Sequence, residues 1–133
     1  MPEHPLDAPL IPLKVHADAR GHLYELLSAT ILPAAIPGLA YLCGIRQGAV
    51  RGGHLHLRKD EWFLCLHGEA LVTLRLAGDE RRRTLSAEAP AWLPVPAGVW
   101  HALRSTGPEE ALILAYVTEP YDPNDPDTYR SPG

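Results

Sequence analysis

The stretch GAVRGGHLHLRKDEWFLCLHG, residues 48–68, decides the fold of this 133-residue chain. It places His54 and His56 two positions apart, and Glu61 follows in the next apolar run. On a β-strand, residues two apart point to the same face. A second stretch, PAGVWH, ends in His101 beside a Pro-x-Gly turn. Three imidazoles and one carboxylate form a nitrogen and oxygen donor set that suits a divalent transition metal.

The composition is that of an ordinary globular domain, with 46% hydrophobic residues, 21% charged residues and a net charge of -4. This charge argues against a nucleic-acid partner, and we expect the single basic run, Arg81–Arg83, in a solvated hairpin loop. Cys43 and Cys65 lie in apolar runs, which favours buried free thiols in a reducing cytosol. Neither a signal peptide nor an apolar run of about 20 residues is visible, so we expect a cytoplasmic protein without a membrane partner.

Short apolar runs separated by glycine and proline predict an all-β sandwich or barrel. The runs are rich in Leu, Val, Trp and Tyr, and turn residues bound each of them. The predicted strands are Leu23–Leu27, Ala40–Ile45, Glu61–Leu66, Ala70–Leu76, Ala91–Val95 and Ala111–Val117. The segment Ala29–Ile36 has room for one helical turn at most, because prolines interrupt it.

The predicted organisation has three parts. Residues 1–12 hold four prolines and few anchoring side chains, which indicates an N-terminal arm. Residues 13–120 contain the predicted barrel. Residues 121–133 form a Pro- and Asp-rich C-terminal tail without regular structure, in which Tyr121 and Tyr129 are large enough to dock on the barrel.

The spacing of the ligand stretch resembles the first cupin motif at every defined position: Gly48-x5-His54-x-His56-x4-Glu61-x6-Gly68. The second stretch resembles the core of the second cupin motif, although Ser105 and Pro90 stand where that motif has Asn and Gly. The resemblance implies a small antiparallel double-stranded β-helix, the cupin or jelly-roll barrel. Such proteins are commonly dimers with the site inside the barrel mouth, so we expect a homodimer.

Flanking residues resemble one branch of the cupins. The run Arg51–His56 is similar to the Arg-Gly-x-His signature of nucleotide-sugar epimerases and ketoisomerases, and Asp18–Glu25 resembles their Asp-x-Arg-Gly segment. The tail Tyr121–Tyr129 resembles that of the cupin domain in capsular-polysaccharide reductase–epimerase fusions. The branch includes dTDP-4-dehydrorhamnose 3,5-epimerase, sugar 3,4-ketoisomerases and the capsular cupins.

The histidines allow several interpretations. From the residues alone, His54, His56, Glu61 and His101 would bind zinc, iron, manganese, nickel or copper, or else they are core histidines and a surface glutamate that match the pattern by coincidence. The resemblance adds further roles. The epimerases use no metal, and resemblance to them implies that His54 is a general base. Resemblance to the ketoisomerases implies that His54 and His56 act as base and acid. The capsular cupins keep the full ligand set and resemble a zinc-containing variant, which implies a metal at these residues. A histidine bound to a metal through one nitrogen cannot act as a base through that nitrogen.

The general acid is less well defined by the sequence. In the epimerases a tyrosine on the strand after the second motif takes this role, and Tyr116 fits that strand only after a shift of one residue. One residue reverses the face on which a strand side chain lies, so a packed core or rim tyrosine is the alternative. Tyr41 is another possible inward polar group.

Four residues are candidates for substrate binding. The resemblance implies that Arg20 contacts the diphosphate of a nucleotide, a role suited to a guanidinium fork, and that Glu25 lies nearby. An exposed ion pair is the alternative for Arg20. Arg46 or Arg51 would stabilise an enolate.

The predicted function is therefore isomerisation or epimerisation of a keto-deoxy sugar nucleotide in polysaccharide precursor biosynthesis. Removal of a proton next to a ketone needs a base with a pKa near neutrality, which histidine supplies. A metal-dependent oxygenase acting on a small non-nucleotide substrate is one alternative. A non-catalytic module that binds a sugar or another small ligand is a second.

Overall fold

A computed structural model describes residues 4–26 and 38–130, and in these residues it confirms the predicted all-β fold. A short 3-10 helix, Pro5–Asp7, precedes eleven strands. The strands are β1 (Ile11–Pro12), β2 (Lys14–Asp18), β3 (Gly21–Glu25), β4 (Leu39–Ile45), β5 (Val50–His54), β6 (Glu61–His67), β7 (Glu69–Leu76), β8 (Asp79–Ser86), β9 (Ala91–Val95), β10 (Trp100–Ser105) and β11 (Ala111–Val117).

The strands form two main antiparallel sheets and one separate hairpin. The five-stranded sheet has the order β1-β9-β6-β11-β4, and the four-stranded sheet has the order β5-β10-β7-β8. The hairpin consists of β2 and β3. Apart from the β7–β8 hairpin, neighbouring strands within the two main sheets are not consecutive in the sequence, which is the connectivity of a jelly-roll barrel.

The core lies between the two sheets because their strands alternate buried and more exposed side chains. In β11, for example, Ala111, Ile113, Ala115 and Val117 are buried, whereas the residues between them are only partly covered. Fully burying one Val, Leu, Ile or Phe side chain stabilises the fold by about 1.5–3 kcal/mol. The inward side chains from both sheets form a single cluster, which positions the strands that carry the site.

The basic run Arg81–Arg83 lies within strand β8, so the predicted hairpin loop is wrong. The chain reverses earlier, at Ala77 and Gly78, which both have positive φ angles as two-residue hairpin turns require. β8 is an edge strand, where charged side chains on both faces are tolerated. Arg81 pairs with Asp7, and the guanidinium of Arg83 donates to the carbonyls of two N-terminal residues.

The N-terminal residues pack against the barrel more closely than the sequence suggested for an arm. Leu6 is only 1% exposed and belongs to the core cluster, and Ile11–Pro12 pairs with β9. The hairpin of β2 and β3 is different, because every residue of both strands is exposed. The predicted helical turn at Ala29–Ile36 lies outside the described residues. Within residues 4–26 and 38–130, no helix has the length and hydropathy that a membrane span requires.

Candidate active site

The structure brings the four predicted ligand residues together at the mouth of the barrel. His54 ends β5 and is in register with His101 on β10, and their ring centroids are 4.9 Å apart. The ring of His56 lies 5.1 Å from His54 and 5.5 Å from His101. Gly52 allows this approach, because a Cβ atom there would lie 2.9 Å from the carbonyl oxygen of His101. One nitrogen from each ring lies within 4.8 Å of the other two.

Glu61 lies at the centre of the polar contacts. Its side chain is 2% exposed, Oε2 accepts a hydrogen bond of 2.6 Å from the Tyr41 hydroxyl, and Oε1 lies 3.1 Å from His56 Nε2. His101 Nε2 is 3.3 Å from the same Oε1 atom. Burial alone would raise the pKa of Glu61, but these neighbours outweigh it and hold the pKa well below its usual value. Glu61 is therefore a buried carboxylate anion.

His56 is held in its protonated form by acceptors on both sides. Its Nδ1 atom donates to the carbonyl oxygen of Asp127 over 2.7 Å, and its Nε2 atom faces the Glu61 carboxylate. A carbonyl oxygen and a carboxylate only accept hydrogen bonds, so both ring nitrogens carry protons. Burial opposes this charge, but the hydrogen bonds to Glu61 and Asp127 outweigh it and raise the pKa of His56.

His54 has the opposite character, although its ring is adjacent. Burial and the neighbouring rings of His101 and His56 lower the pKa of His54 to about 4. Its Nδ1 atom is buried and has no hydrogen-bond partner among the described residues. The site thus places a histidine with a lowered pKa beside one with a raised pKa, and such a contrast is typical of acid–base pairs.

His101 completes the cluster with a defined ring orientation. Its Nδ1 atom lies 3.0 Å from the carbonyl oxygen of Val99, which can only accept, so Nδ1 carries the proton. The buried Nε2 atom faces the cluster, 3.3 Å from Glu61 Oε1, and has no closer polar partner in the part of the chain that the structure describes. This Nε2 atom and the nearby nitrogens of His54 and His56 form a donor set that fits a metal ion.

A cavity of about 580 Å³ opens beside this cluster. Its volume lies within the range typical of small-molecule sites. Arg51 and Arg130 reach it from different parts of the chain, and no Asp or Glu of the described residues lines it. Its remaining lining residues are Tyr41, Leu42, Cys43, Gly44, Ile45, Val50, Gly52, His54, Phe63, His101, Leu103 and Ile113. The two guanidinium groups make the cavity suitable for an anionic ligand.

Tyr116, the predicted general acid, is not brought to this cavity. Ile113 lines the cavity from β11, and a residue three positions later on a strand points to the opposite face. The Tyr116 ring accordingly packs near Trp62, with the ring centroids 6.0 Å apart. The interpretation of Tyr116 as a packed rim residue matches this position, and the inward tyrosine is Tyr41.

Of the four predicted substrate-binding residues, one lines the cavity and three lie away from it. Arg51 lines the cavity, and its Nε atom donates to the Gly44 carbonyl over 3.1 Å. Arg46 lies in the exposed turn after β4, away from the cavity lining. Arg20 and Glu25 lie on the exposed hairpin, where Arg20 pairs with Asp18 and Glu25 pairs with a histidine of β2. In a single chain, none of these three reaches the histidine cluster.

Sequence reasoning missed two residues that the C-terminal tail brings to the site. Asp127 holds His56, and Arg130 lines the cavity. The tail reaches the site because Leu55, between the two motif histidines, exchanges two backbone hydrogen bonds of 2.9 Å with Tyr129. The resemblance of this tail to the capsular cupins was a signal of its importance, but a sequence without regular structure does not predict the side chains that face the barrel.

Comparisons with known proteins identify the family of this chain. A family model described as the polysaccharide biosynthesis C-terminal domain matches residues 16–129. The chain is 30% identical to a probable low-salt glycan biosynthesis epimerase of Haloferax volcanii, over 90% of this chain and 83% of the relative.

Solved structures share the fold. The capsular polysaccharide assembling protein CapF from Staphylococcus aureus is 27% identical with a TM-score of 0.68, and the match covers 89% of this chain but 34% of CapF. The chain therefore spans about a third of that protein's length. The sugar 3,4-ketoisomerase QdtA from Thermoanaerobacterium thermosaccharolyticum, crystallised with TDP, has a TM-score of 0.78 at 23% identity, over 92% of this chain and 87% of QdtA.

These neighbours are cupin-like sugar-nucleotide enzymes, which confirms the predicted barrel and its resemblance to the epimerase and ketoisomerase branch. The homologues are epimerases and isomerases of glycan and polysaccharide biosynthesis. Since the family model covers most of its length, the chain belongs to the polysaccharide biosynthesis C-terminal domain family.

Proposed function

We propose that this protein isomerises or epimerises a keto-deoxy sugar nucleotide in the synthesis of polysaccharide precursors. The observation that carries the proposal is the pairing of His54 and His56, whose ring centroids are 5.1 Å apart. Acceptors on both sides raise the pKa of His56, whereas burial and the neighbouring rings lower the pKa of His54 to about 4. Curated relatives include a probable glycan biosynthesis epimerase and a TDP-4-oxo-6-deoxy-glucose 3,4-oxoisomerase. Both reaction classes begin with removal of a proton from a carbon next to a ketone.

In this reaction His54 would act as the general base. Its neutral ring can accept the proton at neutral pH, but a pKa of about 4 makes it a weak base. The reaction therefore depends on stabilising the enolate that forms. The His56 cation and the Arg51 guanidinium supply positive charge at the cluster and at the cavity wall, in surroundings where burial strengthens electrostatic interactions.

Return of the proton would complete the reaction. A 3,4-ketoisomerase delivers a proton to the former carbonyl carbon, and the hydroxyl proton of the neighbouring carbon passes to the former carbonyl oxygen. An epimerase delivers the proton to the opposite face of the carbon that lost it. His56 is the proposed donor because its Nε2 atom carries a proton at the cluster. Glu61 keeps that proton in place between turnovers, and Tyr41 orients the Glu61 carboxylate.

The cavity supports an anionic substrate. Arg51 and Arg130 are suited to the oxygens of a diphosphate, because guanidinium groups bind such oxygens through paired hydrogen bonds. The apolar lining residues, such as Phe63 and Ile113, would contact the less polar faces of the sugar or base.

Metal binding is a second candidate because the same cluster fits a metal ion. His54, His56, Glu61 and His101 would hold it, and buried nitrogens of His54 and His101 have no hydrogen-bond partner in the described parts of the chain. A bound divalent metal would polarise the keto group of a substrate. His56 would have to lose its Nε2 proton to become a ligand, and a ligated His54 nitrogen would no longer be available as a base.

We also propose that the protein acts as a homodimer. The hairpin of β2 and β3 pairs with no other strand among the described residues, and it exposes Leu23 and Tyr24 to solvent. Among the described residues, strand β4 pairs only with β11, and it exposes Leu42 at the cavity. A second copy would cover these apolar groups, and it would bring Arg20 and Glu25 of one hairpin close to the other site.

Solvent deuterium incorporation tests the proposed function. The protein is incubated in D₂O with TDP- and UDP-linked 4-keto-6-deoxy sugars, and mass spectrometry and NMR locate deuterium at C3 or C5. We expect incorporation by the wild type and by His67→Asn, an exposed-histidine control, but not by His54→Asn. Absence of exchange with every such substrate would contradict the proposal. Iron-dependent oxygen uptake would favour an oxygenase, and binding without turnover would favour a binding module.

A further inference from the structure

Asp127 is a buried acidic residue in a tail that otherwise lacks regular structure. It is 1% exposed, and its φ of 51° lies in the left-handed region, which glycine, asparagine and aspartate adopt more readily than most other residues. The carboxylate accepts three backbone hydrogen bonds from the turn that follows His56. Their donors are the amides of Leu57 at 2.9 Å, Arg58 at 2.9 Å and Lys59 at 3.2 Å.

The backbone of Asp127 makes a separate contact with the ring of His56. Its carbonyl oxygen accepts the Nδ1 proton of His56 over 2.7 Å. Since a carbonyl only accepts, this contact keeps a proton on Nδ1 and turns Nε2 toward Glu61. The carboxylate fixes the turn and the carbonyl fixes the ring, so one residue sets both the position and the orientation of His56.

We propose that Asp127 is the positioning residue for His56. The proposed positioning applies whether Nε2 carries a proton or binds a metal, because both uses need the same ring orientation. Tethering the tail is a separate task, since Leu55 and Tyr129 already pair through two backbone hydrogen bonds and the Lys59 ammonium binds the Pro126 carbonyl. Asp127 does not line the cavity beside the cluster, and its contact with the cluster is the hydrogen bond to His56.

Two substitutions separate positioning from folding. Asp127→Gly permits the positive φ but removes the carboxylate, whereas Asp127→Asn permits the same φ and keeps one side-chain oxygen for the turn. Asp125→Asn is the matched control, because Asp125 is an exposed acid two residues earlier whose carboxylate pairs with the Arg58 side chain. Each variant is compared by thermal unfolding, by NMR of ¹⁵N-labelled histidine and by steady-state kinetics.

We expect a slowly exchanging His56 Nδ1 proton in the wild type and in Asp125→Asn, and its loss in Asp127→Gly. The kinetic readout rests on the proposed function: kcat should fall about 10- to 100-fold in Asp127→Gly with little change in KM, and Asp127→Asn should recover part of it. If Asp127→Gly does not fold, Asp127→Asn serves as the test, and we expect its His56 Nδ1 proton to exchange faster than in the wild type.

A folded Asp127→Gly protein that keeps the protected proton would overturn the positioning role. So would an Asp127→Asn protein with unchanged proton exchange. The NMR measurement needs no substrate, so a wild type without turnover would refute the proposed function and leave the positioning role to be decided by the ring proton alone.

Discussion

Replacing Glu61 by glutamine tests whether the centre of the site is an ion pair. The Glu61 carboxylate is 2% exposed and the His56 side chain 11% exposed, so the charges interact away from bulk water. Removing one partner of a buried ion pair costs about 3–5 kcal/mol. Glutamine keeps an acceptor for the Tyr41 hydroxyl, and its amide can donate to a neutral His56. We therefore expect Glu61→Gln to lower the free energy of unfolding by about 3 kcal/mol, the low end of this range.

The loss should depend on pH in a definite way. The lowered pKa of Glu61 adds stability above its ordinary value of 4.5, and this contribution fades as the pH falls below it. The raised pKa of His56 adds stability that is complete below 6.5 and is lost as the pH rises through its folded-state value. The stability difference between wild type and Glu61→Gln should thus be largest between pH 4.5 and 6.5.

Urea unfolding of both proteins at pH 5.5 and 8.5, with a chelator present, measures this difference. Glu80→Gln is the matched control, because Glu80 pairs with Arg75 at the surface, where solvent weakens ion pairs. We expect Glu80→Gln to lower the free energy of unfolding by much less than Glu61→Gln does, and by the same amount at both pH values. Equal losses for Glu61→Gln at both pH values would refute the buried ion pair.

Three further predictions follow from the geometry. Arg130→Ala should raise KM for a sugar nucleotide about tenfold with a smaller effect on kcat, whereas Arg104→Ala, outside the cavity, should leave KM unchanged. A KM for Arg130→Ala equal to that of the wild type would contradict an anion site. Tyr41→Phe should destabilise the protein by about 1 kcal/mol in urea unfolding and lower kcat in steady-state kinetics, because it removes the hydrogen bond to Glu61. Tyr116→Phe should leave kcat within twofold of the wild-type value. Leu23→Asp should shift the protein from dimer to monomer in light scattering, and a wild type that is already monomeric would contradict the dimer.

Much of the barrel could be predicted from the sequence because its strands are apolar and end at turn residues. The predicted segments at β4, β6, β7, β9 and β11 coincide with observed strands to within one residue. β8 was missed because it is an edge strand with Arg81–Arg83 on it, and edge strands do not need an apolar face. β5 was missed because Gly52 and Gly53 lower its strand propensity, although the close approach to β10 requires a glycine there.

The site was predictable where it depends on spacing along the chain. His54 and His101 lie on the adjacent strands β5 and β10, His56 follows two residues after His54, and Glu61 faces them from β6 of the other sheet. Their protonation states were not predictable, because these depend on contacts between distant segments. Asp127 lies 71 residues from His56, and the Tyr41 hydroxyl reaches Glu61 from another strand. Such contacts need the folded structure.

The rate of solvent exchange by metal-free enzyme tests the central claim most directly. The protein is stripped with a chelator, its metal content is confirmed by elemental analysis, and it is incubated in D₂O with a 4-keto-6-deoxy sugar nucleotide that the wild type converts. We predict that the stripped wild type incorporates deuterium next to the ketone at the rate of untreated protein, and that His54→Asn slows this by about 100-fold or more. Exchange that disappears with the metal and returns on adding it would contradict His54 as the base.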